Sequence, residues 1–189
     1  SYGMQMHELY GYSFFDESIL KDLGWEPKRY VPIKNPISEN YTRMVTTLQP
    51  NLIKAVRENS IAYSQLRFYE WGRVWHMSGD DIIEQKSLSG IVFNQQSDFD
   101  FYAGKEILIR MFDELHMPVT WQEDINHEFS WMSAHQKAAL MHNGRRIGIA
   151  GMVEKSFVDS LSPAGGSIFI FEINADELLA YKKPLVRFN

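Results

Sequence analysis

Asn143-Gly144 stands between two apolar-rich runs, residues 137–142 and 145–153, and no other pair in the chain narrows its folding as much. An Asn-Gly pair readily supplies the two positive-φ positions of a type I′ turn, whose twist matches that of paired strands. The flanking runs are therefore predicted to form a hairpin with a nearly fixed register. Residues 66–76 alternate and are rich in aromatic and β-branched side chains, and residues 88–93 form a second run beyond the polar Ser78-Gly79-Asp80-Asp81 turn. Together they predict a longer antiparallel hairpin. Residues 168–173 are apolar on both faces, as in a central strand with helices on one side and loops or a partner on the other. Shorter strands are expected at 119–122, after Pro118, and at 31–34, broken by Pro32.

Helical segments punctuate these strands. Asp16 can cap a short helix ending at Gly24, and Pro50 fits the first turn of a helix carrying Leu52, Ile53 and Val56 as far as Asn59. A helical region is also expected before it, with Ser38 as its cap. Asp98 or Asp100 opens the most regular helix, in which Ile107, Leu108, Met111, Phe112 and Leu115 form one apolar stripe. A last short helix is expected at 176–181. Hairpins outnumber strand-helix-strand crossovers. The expected fold class is therefore α/β of the α+β type, a mostly antiparallel sheet flanked by helices, and not a Rossmann or TIM design.

Composition bounds the rest. A chain of 189 residues, 44% hydrophobic and 14% aromatic, can build one sizeable core and is not a disordered polymer. With 19 Lys+Arg against 24 Asp+Glu the formal charge is −5, so no global positive field gathers nucleic acid and any RNA contact is local. The absence of cysteine excludes disulfides, thiolate metal sites and a cysteine nucleophile together. No apolar run approaches the roughly 18 residues of a membrane span, and the start lacks the pattern of a signal peptide. The expectation is one cytoplasmic module over residues 1–189, cut from a longer chain, with 182–189 as linker toward a following domain.

Little in the chain announces chemistry. The six histidines, His7, His76, His116, His127, His135 and His142, include no i, i+4 pair and no ligand-spaced carboxylates, so no metal site is expected. No Gly-x-Ser-x-Gly elbow is present, and Ser130 and Ser133 read as loop residues. Gly148 and Gly151 match no phosphate-binding loop and read as close-packing positions in a strand. The most suggestive stretch is 67–75, where alternation places Arg67, Tyr69, Trp71, Arg73 and Trp75 on one face. Such a face can stack on a base or small ligand, or pack beneath a helix or a neighbouring subunit. The doublets Lys28-Arg29, Arg145-Arg146 and Lys182-Lys183 read as solvated surface that could also touch phosphate.

Several segments, taken in order, resemble the β chain of phenylalanine–tRNA ligase in its class II synthetase-like part. Asn35-Pro36-Ile37-Ser38, followed by Met44, Leu48 and Leu52-Ile53, is similar to that family's run into its motif-1-like helix. Arg67-Phe68-Tyr69-Glu70-Trp71-Gly72-Arg73-Val74 resembles its Phe-Glu-x-Gly strand. Asp100-Phe101-Tyr102 with Lys105 is similar to its Asp-Phe-Tyr-x-x-Lys helix start, and residues 143–151 resemble its Gly-x-x-Ile-Gly-x-x-Gly hairpin. There are departures. Val45 stands where the family usually has arginine, with Arg43 two positions earlier, and Asn51 replaces a usual glycine. The His-Pro pairs around the late hairpin are replaced by Phe129-Ser130-Trp131-Met132 and Val153-Glu154-Lys155.

The resemblance implies a class II-like fold and a role in assembly. In that family the α chain uses ATP and Mg²⁺ to activate phenylalanine and passes it to tRNA, while the matching β module lacks the active site and packs against α in an (αβ)₂ assembly. It implies no catalytic residue, metal or cofactor in this segment, ATP and Mg²⁺ in the parent complex, and tRNA as a partner of that complex. Arg67 could imitate the phosphate-binding arginine of the motif-2 strand, but residues 175–181 supply no second arginine. Leu52, Ile53, Val56 and Arg57 are the expected subunit contacts, the alternative being that the apolar three face the domain's own sheet. Two other functions stay open: an independent RNA- or small-ligand-binding domain using Arg67, Tyr69, Trp71 and Arg73, and an active class II-type ligase.

Overall fold

The computed structural model describes residues 5–96, 99–126 and 128–182. Ser1-Tyr2-Gly3, Asp98, His127 and residues 183–189, with Lys183 and most of the expected linker, lie outside the described residues. In chain order the elements are β1 (His7–Glu8), α1 (Glu17–Asp22), α2 (Gln49–Asn59), β2 (Gln65–Ser78), β3 (Asp81–Asn94) and α3 (Phe101–Leu115). They continue with β4 (Thr120–Glu123), β5 (Met132–His142), β6 (Arg145–Val153), α4 (Lys155–Leu161), β7 (Ser167–Asn174) and α5 (Ala175–Ala180).

The strands form one seven-stranded sheet in the order β1-β2-β3-β7-β6-β5-β4, antiparallel except where β1 lies parallel to β2. Two hairpins build it. β2 and β3 pair without a break from Gln65↔Asn94 to Ser78↔Asp81, turning at Gly79, whose φ is +62°. β5 and β6 turn at Asn143 and Gly144, both at positive φ (+49° and +76°), the backbone that the Asn-Gly pair predicts. Their register is less regular than expected, shifting between Leu140↔Gly148 and Met141↔Arg146. This bulge turns Ile147 into the apolar layer beside Ala150 and Met152. β7 then enters between β3 and β6 and joins the hairpins.

Both sheet faces are covered. α1, α2 and α4 contribute Ile19, Leu23, Leu52, Ile53, Val56, Val158 and Leu161 to one layer, over Ile91, Phe93, Ile149, Ile168 and Ile170. α3 contributes Leu108 and Phe112 to the other, with Leu178 of α5 at its edge, over Val92, Phe169, Phe171 and Ile173. The expected pattern of helices on one side only is thereby corrected. A strand apolar on both faces specifies two covers without naming them, and here both are helical.

Caps explain several boundaries. Asp16 accepts from Ser18 N at 3.1 Å to open α1, and Asp100 accepts from Ala103 N at 2.9 Å to open α3. Ser38 opens no helix; its hydroxyl accepts from Asn40 N at 3.3 Å in a turn. Residues 43–45 instead pair with extended chain, through Phe15 N–Arg43 O at 2.9 Å, Met44 N–Val31 O at 2.9 Å and Val45 N–Ser13 O at 3.0 Å. These partners on both sides override the helical expectation.

Candidate functional site

α2 carries the expected subunit contacts. Leu52, Ile53 and Val56 are each 0% exposed, packed with Trp131, Ile91 and Ile170. The stripe packs on the chain's own sheet, the alternative that its spacing equally allows. Arg57 lies on the flank of the helix, partly exposed, and donates to Asp22 at 2.7 Å. The outward positions of α2 are Asn51, Lys54, Ala55 and Glu58.

Arg67, Tyr69, Trp71 and Arg73 share one face of β2, as the alternation predicts, and that face is turned away from α2. Tyr69 packs beside the α3 layer, whereas Leu66 and Phe68 pack with the α2 layer. Glu84 across the hairpin engages two of this row, lying 3.2 Å from Arg73 Nε and accepting from Trp75 Nε1 at 3.1 Å. Trp71 is 42% exposed. Arg67 borders two shallow clefts, one with Tyr63 and Gln65, the other with Phe99 and Glu106.

The α2 side of the sheet holds a buried carboxylate, the Glu70 of the Phe-Glu-x-Gly strand, and a half-buried one, Glu172, that no motif singles out. Glu70 on β2 and Glu172 on β7 flank Ser89 of β3 in one cross-strand row. Glu172 accepts from Ser87 Oγ at 2.7 Å, from Leu48 N at 3.2 Å and from the Thr47 hydroxyl. Leu48 is the N-cap residue of α2 and has no side-chain cap of its own, so a carboxylate from the central strand does that work. Burial nevertheless pushes the Glu172 carboxyl above its ordinary range, against the pull of its donors. Glu70 Oε1 accepts from Gly11 N at 3.1 Å, while Glu70 Oε2 is buried without a partner among the described residues. Burial, opposed by the Gly11 bond and reinforced by the charge of Glu172, pushes this carboxyl up to about 7. The sequence signal for Glu172 was a carboxylate inside an otherwise apolar strand, and that for Glu70 its place in the Phe-Glu-x-Gly strand.

Other candidate groups are committed elsewhere. Arg43 bonds Glu17 through Nε at 2.9 Å, also engages Glu26, and lies 4.9 Å from the Tyr30 ring centre. Arg146 donates to the buried Asp124 at 2.9 Å and Arg145 lies 3.4 Å from Glu177, so both members of that doublet are ion-paired. Lys28 and Arg29 border a cleft of about 420 Å³ with Trp25, His76, Glu128 and Phe129. Burial and the Arg29 charge hold the His76 imidazole below its ordinary pKa. Ser130 donates to Leu23 O at 2.8 Å, and Ser133 lies in β5 rather than a loop. Gly148 and Gly151 do serve close packing: a Cβ would fall 2.5 Å from Glu172 O at the first and 2.7 Å from Lys137 Cβ at the second. Among the described residues no group of three His, Asp or Glu is placed to hold a metal, and no helix is long and apolar enough to cross a membrane.

Comparison with known proteins agrees with the sequence resemblance. Residues 2–175 match the family model described as the phenylalanyl tRNA synthetase beta chain CLM domain. The chain is 26% identical to a phenylalanine–tRNA ligase beta subunit of Legionella pneumophila (strain Lens) over 196 residues, covering 96% of this chain and 24% of that one. It is 26% identical to the beta subunit of Francisella tularensis, over 94% of this chain and 23% of that one. For Halalkalibacterium halodurans the figures are 27%, 98% and 25%. The chain thus spans about a quarter of the length of these relatives.

Proposed function

The chain belongs to the family of the phenylalanyl tRNA synthetase beta chain CLM domain, and from that premise we propose that it serves a phenylalanine–tRNA ligase as a non-catalytic module that assembles with the catalytic α subunit. The match over residues 2–175 carries this reading. Under it, ATP and Mg²⁺ are handled by α, tRNA is met by the whole α₂β₂ complex, and the work is done in the cytoplasm.

The charge of the α2 side supports a module without catalysis. Stabilising a pyrophosphate leaving group requires fixed positive charge at the reacting oxygens. The row beneath α2 instead holds the carboxyls of Glu70 and Glu172. Arg43 is bound to Glu17 and Glu26, and Arg67 lies on the far face of the sheet. With the apolar stripe of α2 buried, the surfaces we assign to α are the helix flank at Arg57 and the exposed Trp71 with Arg73.

Co-expression with an α subunit tests the assembly. Arg57→Glu and Trp71→Ala, combined in one folded variant, are expected to reduce the α subunit recovered with the chain at least fivefold. Recovery in full amount would remove both surfaces from the interface. ATP–pyrophosphate exchange with phenylalanine, run on the chain without α, is expected to stay at background, and exchange above it would overturn the non-catalytic reading.

A further inference from the structure

A second cleft, of about 230 Å³, opens on the α2 side at the edge of β2. Glu70 lies among its lining residues, Asn51, Lys54 and Glu58 of α2 form one wall, and Tyr10, Tyr12, Phe14 and Tyr41 form the other. The rings are organised: Tyr12 stacks on Phe14 with centroids 5.3 Å apart, and Tyr41 lies 5.0 Å from Phe14 and 6.2 Å from Tyr12. Tyr10 and Tyr12 are nonetheless 87% and 69% exposed. Glu70 is 5% exposed, and its Oε2 has no partner among the described residues.

Three considerations identify what this cleft suits. The first is charge. Lys54 is paired with Asp16 at 2.7 Å, so the uncompensated groups of the lining are the acids Glu58 and Glu70, and phosphate or carboxylate ligands are repelled. The second is chemistry. A buried carboxylate oxygen calls for an N–H donor, and ring faces attract cations, so one cationic head group answers both. The third is size. A cleft of about 230 Å³ is smaller than the roughly 300–1,000 Å³ pockets of drug-sized ligands, and matches a side-chain head group better than a nucleotide.

We propose that this cleft is a receptor site for a single guanidinium or ammonium group, with Glu70 as the acceptor at its base and the rings of Tyr12 and Tyr41 as its walls. A basic side chain of a partner polypeptide and a free small amine share that chemistry. Gly11 and Asn51 close over the acceptor: a Cβ on Gly11 would lie 2.6 Å from Glu70 Oε1 and 2.7 Å from Asn51 Nδ2. The amide of Asn51 is held to Tyr12 O by a long bond of 3.4 Å, so turning it aside gives a donor access to Oε2. The site consists of this chain's own residues and does not depend on assembly with an α subunit.

Titration of the chain with Nα-acetylarginine amide, agmatine and the neutral isostere Nα-acetylcitrulline amide tests the site, read by NMR at the Gly11 amide that donates to Glu70. Saturable shifts are expected with the two cations and none with citrulline. Glu70→Gln is expected to weaken cation binding at least tenfold while leaving the fold intact. The groups facing Glu70 are Gly11 N–H, Glu172 of β7, Lys54 and Glu58 of α2, Asp16, and the phenols of Tyr10, Tyr12 and Tyr41. With its carboxyl at about 7, affinity is expected to rise about tenfold from pH 6 to pH 8 as the carboxylate forms. Tighter binding of the arginine amide than of agmatine identifies a polypeptide side chain as the natural occupant, and the reverse a free amine. Equal binding of citrulline, or unchanged binding by Glu70→Gln, overturns the proposal.

Discussion

Glu70 gives the chain a stability term whose sign is unusual for a carboxylate. Its carboxyl titrates at about 7 in the fold against an ordinary 4.5, chiefly because burial penalises the charge. A group raised on folding binds more proton in the native state than in the unfolded one. The fold therefore keeps the benefit below pH 4.5 and loses it as pH climbs toward 7. At 1.36 kcal/mol per pH unit the loss is about 3 kcal/mol. Glu70→Gln, which cannot ionise, is expected to match the parent in urea unfolding near pH 4.5 and to exceed it by about 2–3 kcal/mol at pH 8. A difference that stays flat with pH would mean that the carboxyl titrates normally. Glu70 was legible only as a motif residue and Glu172 not at all, because alternation reports which face a side chain takes and is silent on what covers that face. The stripe of Leu52, Ile53 and Val56 shows the same blindness in reverse: its spacing suits a core and an interface equally, and it is the 0% exposure of all three that places them in this chain's core.

At the scale of elements, α2 borrows its N-terminal cap. Without a side-chain cap at Leu48, the Leu48 amide is served by Glu172, whose neighbours on β7 are Phe171 and Ile173 of the opposite layer, and the Gln49 amide by the Thr47 hydroxyl. Glu172→Ala removes the acceptor for Leu48 N, Thr47 and Ser87 at once, with an expected cost of about 2–4 kcal/mol. Glu172→Gln keeps one acceptor oxygen and is expected to cost less than half as much, by the same urea titration. Equal losses would show that the isosteric amide replaces nothing, so that both carboxyl oxygens, and neither volume nor a single acceptor, are what the residue supplies. No window of local sequence could have revealed this, since helix and cap are 124 residues apart. Signals confined to a few residues were read correctly: the Asn143-Gly144 turn, the Asp16 and Asp100 caps and the long hairpin. α4 escaped because it has no side-chain cap and only seven residues.

For the whole molecule, the strand order determines where the structure resists opening. β7 is the last strand in the chain yet lies between the two hairpins, so neither hairpin can part from the other unless it leaves. Ile168, Phe169, Ile170, Phe171 and Ile173 are buried, and they alternate between the two apolar layers, so separating β7 exposes both cores together. The strands at the rims differ. β4 pairs with β5 over four residues, and β1 pairs with β2 over two. Opening such an edge breaks a few backbone bonds and, at β4, uncovers Trp121 alone among core-packed side chains of the strand, so it proceeds locally, whereas β7 is released only by global unfolding. Hydrogen exchange is therefore expected to divide the sheet. Amides of Ile170 and Phe171 should exchange with the free energy of global unfolding and with its denaturant dependence, while those of Trp121 and Gln122 should exchange several kcal/mol more easily and be almost insensitive to low denaturant. β4 amides as slow as those of β7 would mean that the sheet opens as one cooperative unit. In that event the edge strands, too, would be held by contacts beyond their own short ladders.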